Sequence, residues 1–180
     1  MNYYGSKDMA ESWRTVRKNT IQVAEDIPAD QYHFKASPDT MSVAEMLAHL
    51  ATATYWAQTL HFTDKKTAVT MEDFGGYMGA AAKASAALTA KDAIISALKA
   101  HGEEFAGQLE GASDAFLGER VELPMGSKTR FEMLLSVKEH EMHHRAQLFL
   151  IQRMIGIVPH LTRARQQQRA QAQQAQQATA

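Results

Sequence analysis

His140-Glu141-Met142-His143-His144 lies inside a run, Lys128 to Ile155, whose apolar residues recur at helical spacing. Residues four apart on a helix of 3.6 residues per turn stand about 40° apart around its axis. The imidazoles of His140 and His144 can therefore converge on one point. Stepping about 100° per residue from His140 puts Met133, Val137, His144, Gln147 and Ile151 on one face. That face is otherwise apolar, so the two histidines are expected to point into a helical core. Glu141 and His143 fall on its flanks, each about 80° from its centre, and Glu141 is read as a surface residue or a support to the site.

A third imidazole sits on an earlier helix. Ser42-Val43-Ala44-Glu45 is a capping-box start for a segment reaching about Phe62. Its projection aligns His49 with Ala53, Trp56 and Leu60, with Glu45 close to the stripe. A single histidine on an apolar face is commonly a core residue bonded to a carbonyl. Two at i and i+4, joined by a third on another inward face, point to a metal ion, because burying neighbouring imidazoles without a partner is costly. Three nitrogen ligands with one position open is the ligand count of a catalytic site rather than a closed structural one. The expected ligands are His49, His140 and His144. His33, His61, His101 and His160 lack such an arrangement and are read as surface or loop residues.

Composition narrows the chemistry. The chain has 180 residues and a net charge of −1, with no cysteine. That length suits one domain with a sizeable core. Disulfides, thiolate metal sites and cysteine nucleophiles are excluded. The segment Met1 to Asp8 lacks the succession of a signal peptide, and no run approaches the roughly 18 apolar residues of a membrane span. A cytoplasmic protein without a membrane partner is expected. Arg145, Arg153, Arg163, Arg165 and Arg169 make the C-terminal segment basic, but their spacing forms no base-reading motif, and nothing points to nucleic acid.

The remaining segments complete an all-α reading. A first helix runs from about Ser6 to Ile27, with Met9, Trp13, Val16, Thr20, Val23 and Ala24 at helical spacing and Pro28 as its stop. A third spans about Lys91 to Leu109, entered from Thr89 and closed by Gly111. Arg120 to Gly126 reads as an extended connector, after which Ser127 caps the fourth helix, ended by Gly156 and Pro159. Four long apolar-striped helices make a four-helix bundle, expected over residues 1–160. Residues 64–88 read as a loop plus a short helix over one end of it. Residues 161–180 form a tail, with eight glutamines between Gln166 and Ala180, read as a solvated extension or an arm onto a partner subunit.

His140 to His144 also satisfies H-E-x-x-H, the zinc-protease pattern in which the glutamate is the general base. Leu150 stands where the metzincin version places its third ligand, and no acid follows Glu141. The protease reading is the weaker one.

Met41-Ser42-Val43-Ala44-Glu45-Met46-Leu47-Ala48-His49-Leu50 and His140-Glu141-Met142-His143-His144-Arg145-Ala146-Gln147-Leu148 together resemble the DinB-like (damage-inducible, YfiT-like) family over roughly residues 8–160. The second segment is similar to the family's H-x-x-H-H-R-G-Q-L, with Ala146 where glycine is usual. The resemblance implies a four-helix bundle with an open metal site, frequently in a homodimer. It carries the family's metal-binding histidines onto His49, His140 and His144. Some relatives of this kind are thiol-dependent transferases or isomerases, and many have no assigned reaction.

Three neutral imidazoles leave a divalent ion its full charge, so a water or thiol in the fourth position becomes strongly acidic. Imidazole suits zinc, nickel, copper and iron; zinc is the default, with nickel or iron able to serve. The reaction class expected is thiol-dependent S-transfer or isomerisation on a small molecule. A metal-dependent hydrolase or a non-catalytic metal-binding, stress-related protein is the alternative. Glu45, His143 and Gln147 are the candidates for orienting the imidazoles, and Tyr55 and Trp56 for lining a pocket.

Overall fold

The computed structural model describes residues 4–178, so residues 1–3 of the N-terminal segment and 179–180 of the glutamine-rich tail lie outside it. Its helices are α1 (Ser6–Asp26), α2 (Val43–Thr52), α3 (Tyr55–Ala57), α4 (Met71–Ala86), α5 (Lys91–Glu110), α6 (Asp114–Gly118), α7 (Arg130–Met154) and α8 (His160–Ala178). A two-stranded antiparallel hairpin, β1 (Arg120–Leu123) and β2 (Gly126–Thr129), precedes α7. The chain is thus predominantly helical, as expected, with one small sheet added.

Helices α1, α2, α5 and α7 share one apolar interior. Val23 and Ala24 of α1, Leu47 and Leu50 of α2, Ile94 and Leu98 of α5, and Leu148 and Ile151 of α7 are buried in a single cluster. A second cluster joins Trp13, Phe105, Leu134 and Val137. All six apolar-face positions expected on α1 are buried, and so is Arg17, which charge had hidden from that reading. None of the described helices is long and apolar enough to cross a membrane.

Caps set most of the helix starts. The Ser42 hydroxyl accepts from the Glu45 N–H at 3.2 Å and the Glu45 carboxylate accepts from the Ser42 N–H at 2.7 Å, closing the expected capping box. At α7 the cap lies two residues later than expected. Thr129, with Glu132 as its reciprocal partner, opens α7, while Ser127 is taken into the hairpin opposite Glu122. The extended connector is one strand of that hairpin, whose turn uses Gly126 at φ +124°. At the far end Gly156, at φ +83°, turns the chain out of α7.

Two departures from the sequence reading shape the site. The second helix does not run unbroken to Phe62: it stops at Thr52, turns through Ala53 and Thr54, and resumes as α3 and a π-helical stretch, Gln58–Thr63. Thr52 explains part of this, since its hydroxyl bonds back to the carbonyls of Ala48 and His49 at 3.2 and 3.3 Å, competing with the ladder. The π stretch is pinned by the buried Arg130, which donates to His61 Nδ1 at 3.0 Å and to the Lys65 carbonyl at 3.1 Å. Residues 64–88, in turn, do not form a short cap over one end. They contain the 16-residue α4, begun by a Thr70–Asp73 capping box and packed alongside α2 and α3. The tail forms α8, whose residues from Ala164 to Gln177 are exposed.

Candidate metal centre

His49 occupies the last turn of α2, and His140 and His144 are one turn apart on α7. Packing of the two helices brings the three imidazoles together. His49 Nε2 and His140 Nε2 are 3.0 Å apart, and ring centroids lie 4.9 Å (His49–His140), 5.0 Å (His49–His144) and 4.7 Å (His140–His144) from one another. One ligand nitrogen from each falls within 4.8 Å of the other two. On a tetrahedral ion with metal–nitrogen bonds of about 2.0–2.1 Å, nitrogens sit about 3.4 Å apart. Small side-chain rotations reach that arrangement, so the cluster could hold one ion.

The protonation states favour ligation. Burial, aided by the neighbouring His144, His49 and His143, pushes His140 down to about 4. Burial also lowers His49, with His144 adding to the effect, and lowers His144 itself. All three rings are therefore neutral at pH 7, with lone pairs available. The tautomer of His144 is set by Gln147, whose side-chain oxygen lies 2.8 Å from His144 Nδ1. That oxygen accepts, so Nδ1 carries the hydrogen and Nε2 keeps its lone pair. The same amide nitrogen is 3.4 Å from Nε2 of the exposed His143. Of the three orienting candidates, Gln147 holds a ligand ring by a hydrogen bond, His143 packs edge-on against the His144 ring at 5.0 Å between centroids, and Glu45 is spent on the α2 cap and on Lys35.

Two clefts open onto His49. The first, of about 430 Å³, is bounded by His49, Trp56, Phe74, Met78, Val137 and His140. The second, of about 530 Å³, passes Met41, Glu45, Ser85 and Thr89. Helix α4 supplies the outer wall of both. Its role was missed, although Phe74, Met78, Ala81, Ala82 and Ser85 recur at i, i+4, i+7, i+8 and i+11, a helical stripe in plain view. Trp56 lines the first cleft as expected. Tyr55 lines neither; its hydroxyl lies 3.0 Å from His101 Nε2.

Glu141 overturns its reading as a surface residue. It is 1% exposed, lines neither cleft, and pairs with the equally buried Arg17 at 2.8 Å. A carboxylate held there serves no water at the histidine cluster, which removes the general base that H-E-x-x-H requires. Two histidines assigned to the surface are also misplaced by that reading. His61 is fully buried against Arg130, and His101 is half-buried with Nδ1 on the Ala51 carbonyl at 2.8 Å. His33 is exposed as expected, and His160 lies 3.0 Å from the Asn19 side-chain oxygen.

Comparison with known proteins completes the description. The family model of the DinB superfamily matches residues 12–148, a span that includes all three clustered histidines. No curated protein matches the chain. Among solved structures, a candidate member of the DinB family from Exiguobacterium sibiricum 255-15 superimposes with a TM-score of 0.60. It is 16% identical, and the alignment covers 84% of this chain and 92% of that one. The likeness is one of fold.

Proposed function

The chain belongs to the DinB superfamily, and from that premise we propose that it is a metal-dependent enzyme built on a four-helix bundle. Its ligands are His49, His140 and His144. The observation that carries this reading is the convergence of three neutral imidazoles from two helices at the mouth of an apolar cleft of about 430 Å³, a size suited to a small-molecule ligand. When bound, a divalent ion, zinc by default with nickel or iron able to serve, supplies a strong Lewis acid with one open position for a water or a thiol. Gln147 keeps the His144 lone pair directed at the centre. Trp56, Phe74, Met78 and Val137 exclude water and hold the apolar part of a substrate.

The reaction class we assign is thiol-dependent S-transfer or isomerisation on a small molecule, in the cytoplasm. The apolar lining of the first cleft, Trp56, Phe74, Met78 and Val137, supports it, and a thiol acidified by the ion needs no separate general base. The test is a cobalt-substituted sample titrated with low-molecular-weight thiols. A sulfur-to-metal charge-transfer band should appear and should be lost in His49→Ala. A thiol panel that leaves the cobalt spectrum unchanged transfers the proposal to a hydrolase or a non-catalytic metal protein. The partner we assign is a second copy of the chain. The exposed side chains of Met142, Leu150 and Met154, at i, i+8 and i+12 on α7, supply an apolar face for it.

A further inference from the structure

We propose that Arg17 and Glu141 are positioning residues that set the spacing of His49 and His140, an inference that rests on the metal reading of the cluster for its consequence but not for its geometry. Arg17 is 3% exposed and Glu141 1%. One terminal nitrogen of Arg17, Nη2, forms an ion pair with the Glu141 carboxylate at 2.8 Å and donates to the Leu50 carbonyl at 3.1 Å. Leu50 directly follows His49, and Glu141 directly follows His140. A single nitrogen on α1 therefore ties α2 to α7 one residue away from each of the two imidazoles that meet at 3.0 Å.

The carbonyl that Arg17 engages is available for a structural reason. The last turn of a helix has carbonyls without intrahelical partners, and α2 ends at Thr52. Side chains take them in sequence: Thr52 donates to His49, Arg17 to Leu50, and His101 Nδ1 to Ala51. The early stop of α2 thus creates the docking point, and an unbroken helix would have closed it.

The guanidinium is itself held. It lies over the Trp13 ring at 4.7 Å, and the Trp13 indole N–H donates to the Gly102 carbonyl at 2.8 Å. A Cβ at Gly102 would stand 2.6 Å from Arg17 Cγ, so only glycine lets α5 press the stem into place. Burial pushes Glu141 up and Arg17 down from their ordinary values, which marks the pair as costly to desolvate. Well-packed apolar residues serve stability as well as such a pair or better. What an ion pair adds is a directional link, and a metal centre is sensitive to displacements of about 0.5 Å in its supports.

The test compares wild type, the double variant Arg17→Met/Glu141→Leu, and Glu141→Gln, with folding followed by circular dichroism. Cobalt affinity is read by chelator competition, and the coordination by the cobalt d–d band. In the metal-free proteins, the His49–His140 ring contact is read as a nuclear Overhauser effect. The double variant should fold, lose the ring contact, bind cobalt about 10–100-fold more weakly and show a shifted d–d band. If it unfolds, Glu141→Gln should show the same losses. A folded variant that keeps the ring contact together with wild-type affinity and spectrum overturns the positioning role. Wild-type protein that takes up no cobalt removes the metal reading instead, and the ring contact then decides the positioning role by itself.

Discussion

The guanidinium of Arg130 donates to Nδ1 of His61 at 3.0 Å in the interior, fixing that imidazole in its neutral form with the hydrogen on Nε2. Burial, with the Arg130 charge adding to it, pushes His61 down to about 3. Above pH ~6.5 the ring is neutral whether the chain is folded or not, and it contributes no pH dependence. Below that, the unfolded chain takes a proton that the folded one refuses. Stability is therefore lost at up to about 1.4 kcal/mol per pH unit as the pH falls from ~6.5 toward 3. In denaturant titrations of metal-free protein at pH 7 and pH 4.5, His61→Gln should lose about 2–3 kcal/mol less than wild type over that interval. An unchanged pH slope in the variant counts against a buried neutral His61.

The histidine cluster predicts a sharp division among neighbours. Purified protein should carry about one divalent ion per chain, and the triple variant His49→Ala/His140→Ala/His144→Ala should carry none, because each ring supplies one donor. His143→Ala should keep the ion, since its ring supplies no nitrogen to the cluster and meets it only by edge-on packing on His144 and through Gln147. Metal analysis checks both. Full occupancy in the triple variant would sink the ligand assignment.

Gly102 is the next test. Alanine there gains about 1 kcal/mol in helix propensity but drives a methyl to 2.6 Å from the buried Arg17 stem, and overpacking of this kind costs about 1–3 kcal/mol. Gly102→Ala should therefore be net destabilising, by about 1 kcal/mol, in urea denaturation. Gly107→Ala, on the same helix with open space around its Cβ, should gain stability instead.

The exposed apolar face of α7 predicts assembly. Leu150 is 61% exposed, so a charge placed there costs the isolated chain almost nothing. Leu150→Glu should unfold at the wild-type temperature, within roughly the ±0.5 kcal/mol of ordinary surface substitutions, and should sediment as a monomer, whereas wild type should sediment as a dimer. Identical sedimentation of the two proteins would remove this face from any interface.

Local periodicity and short-range caps determined much of this protein before any packing was considered. The Ser42–Glu45 box, the buried stripe of α1, the exit at Gly156, and the His140/His144 face depend on contacts within a few residues, and a linear pattern encodes those directly. His49 was legible for the same reason, as an inward position on an apolar helix. The pairing of that helix with α7, which turns three histidines into a cluster, is a tertiary event. So is the burial of Glu141 and His61. A helical wheel ranks residues by hydropathy and sends charged and polar groups outward, whereas Arg17, 124 positions away from Glu141 in the chain, and Arg130 supply the partners that make burial possible. The stop in α2 at Thr52 and the full length of α4 were likewise decided by what packs against them. A helix break near threonines is weak in sequence, and it is sustained here because Thr52, Arg17 and His101 occupy the carbonyls that the break exposes.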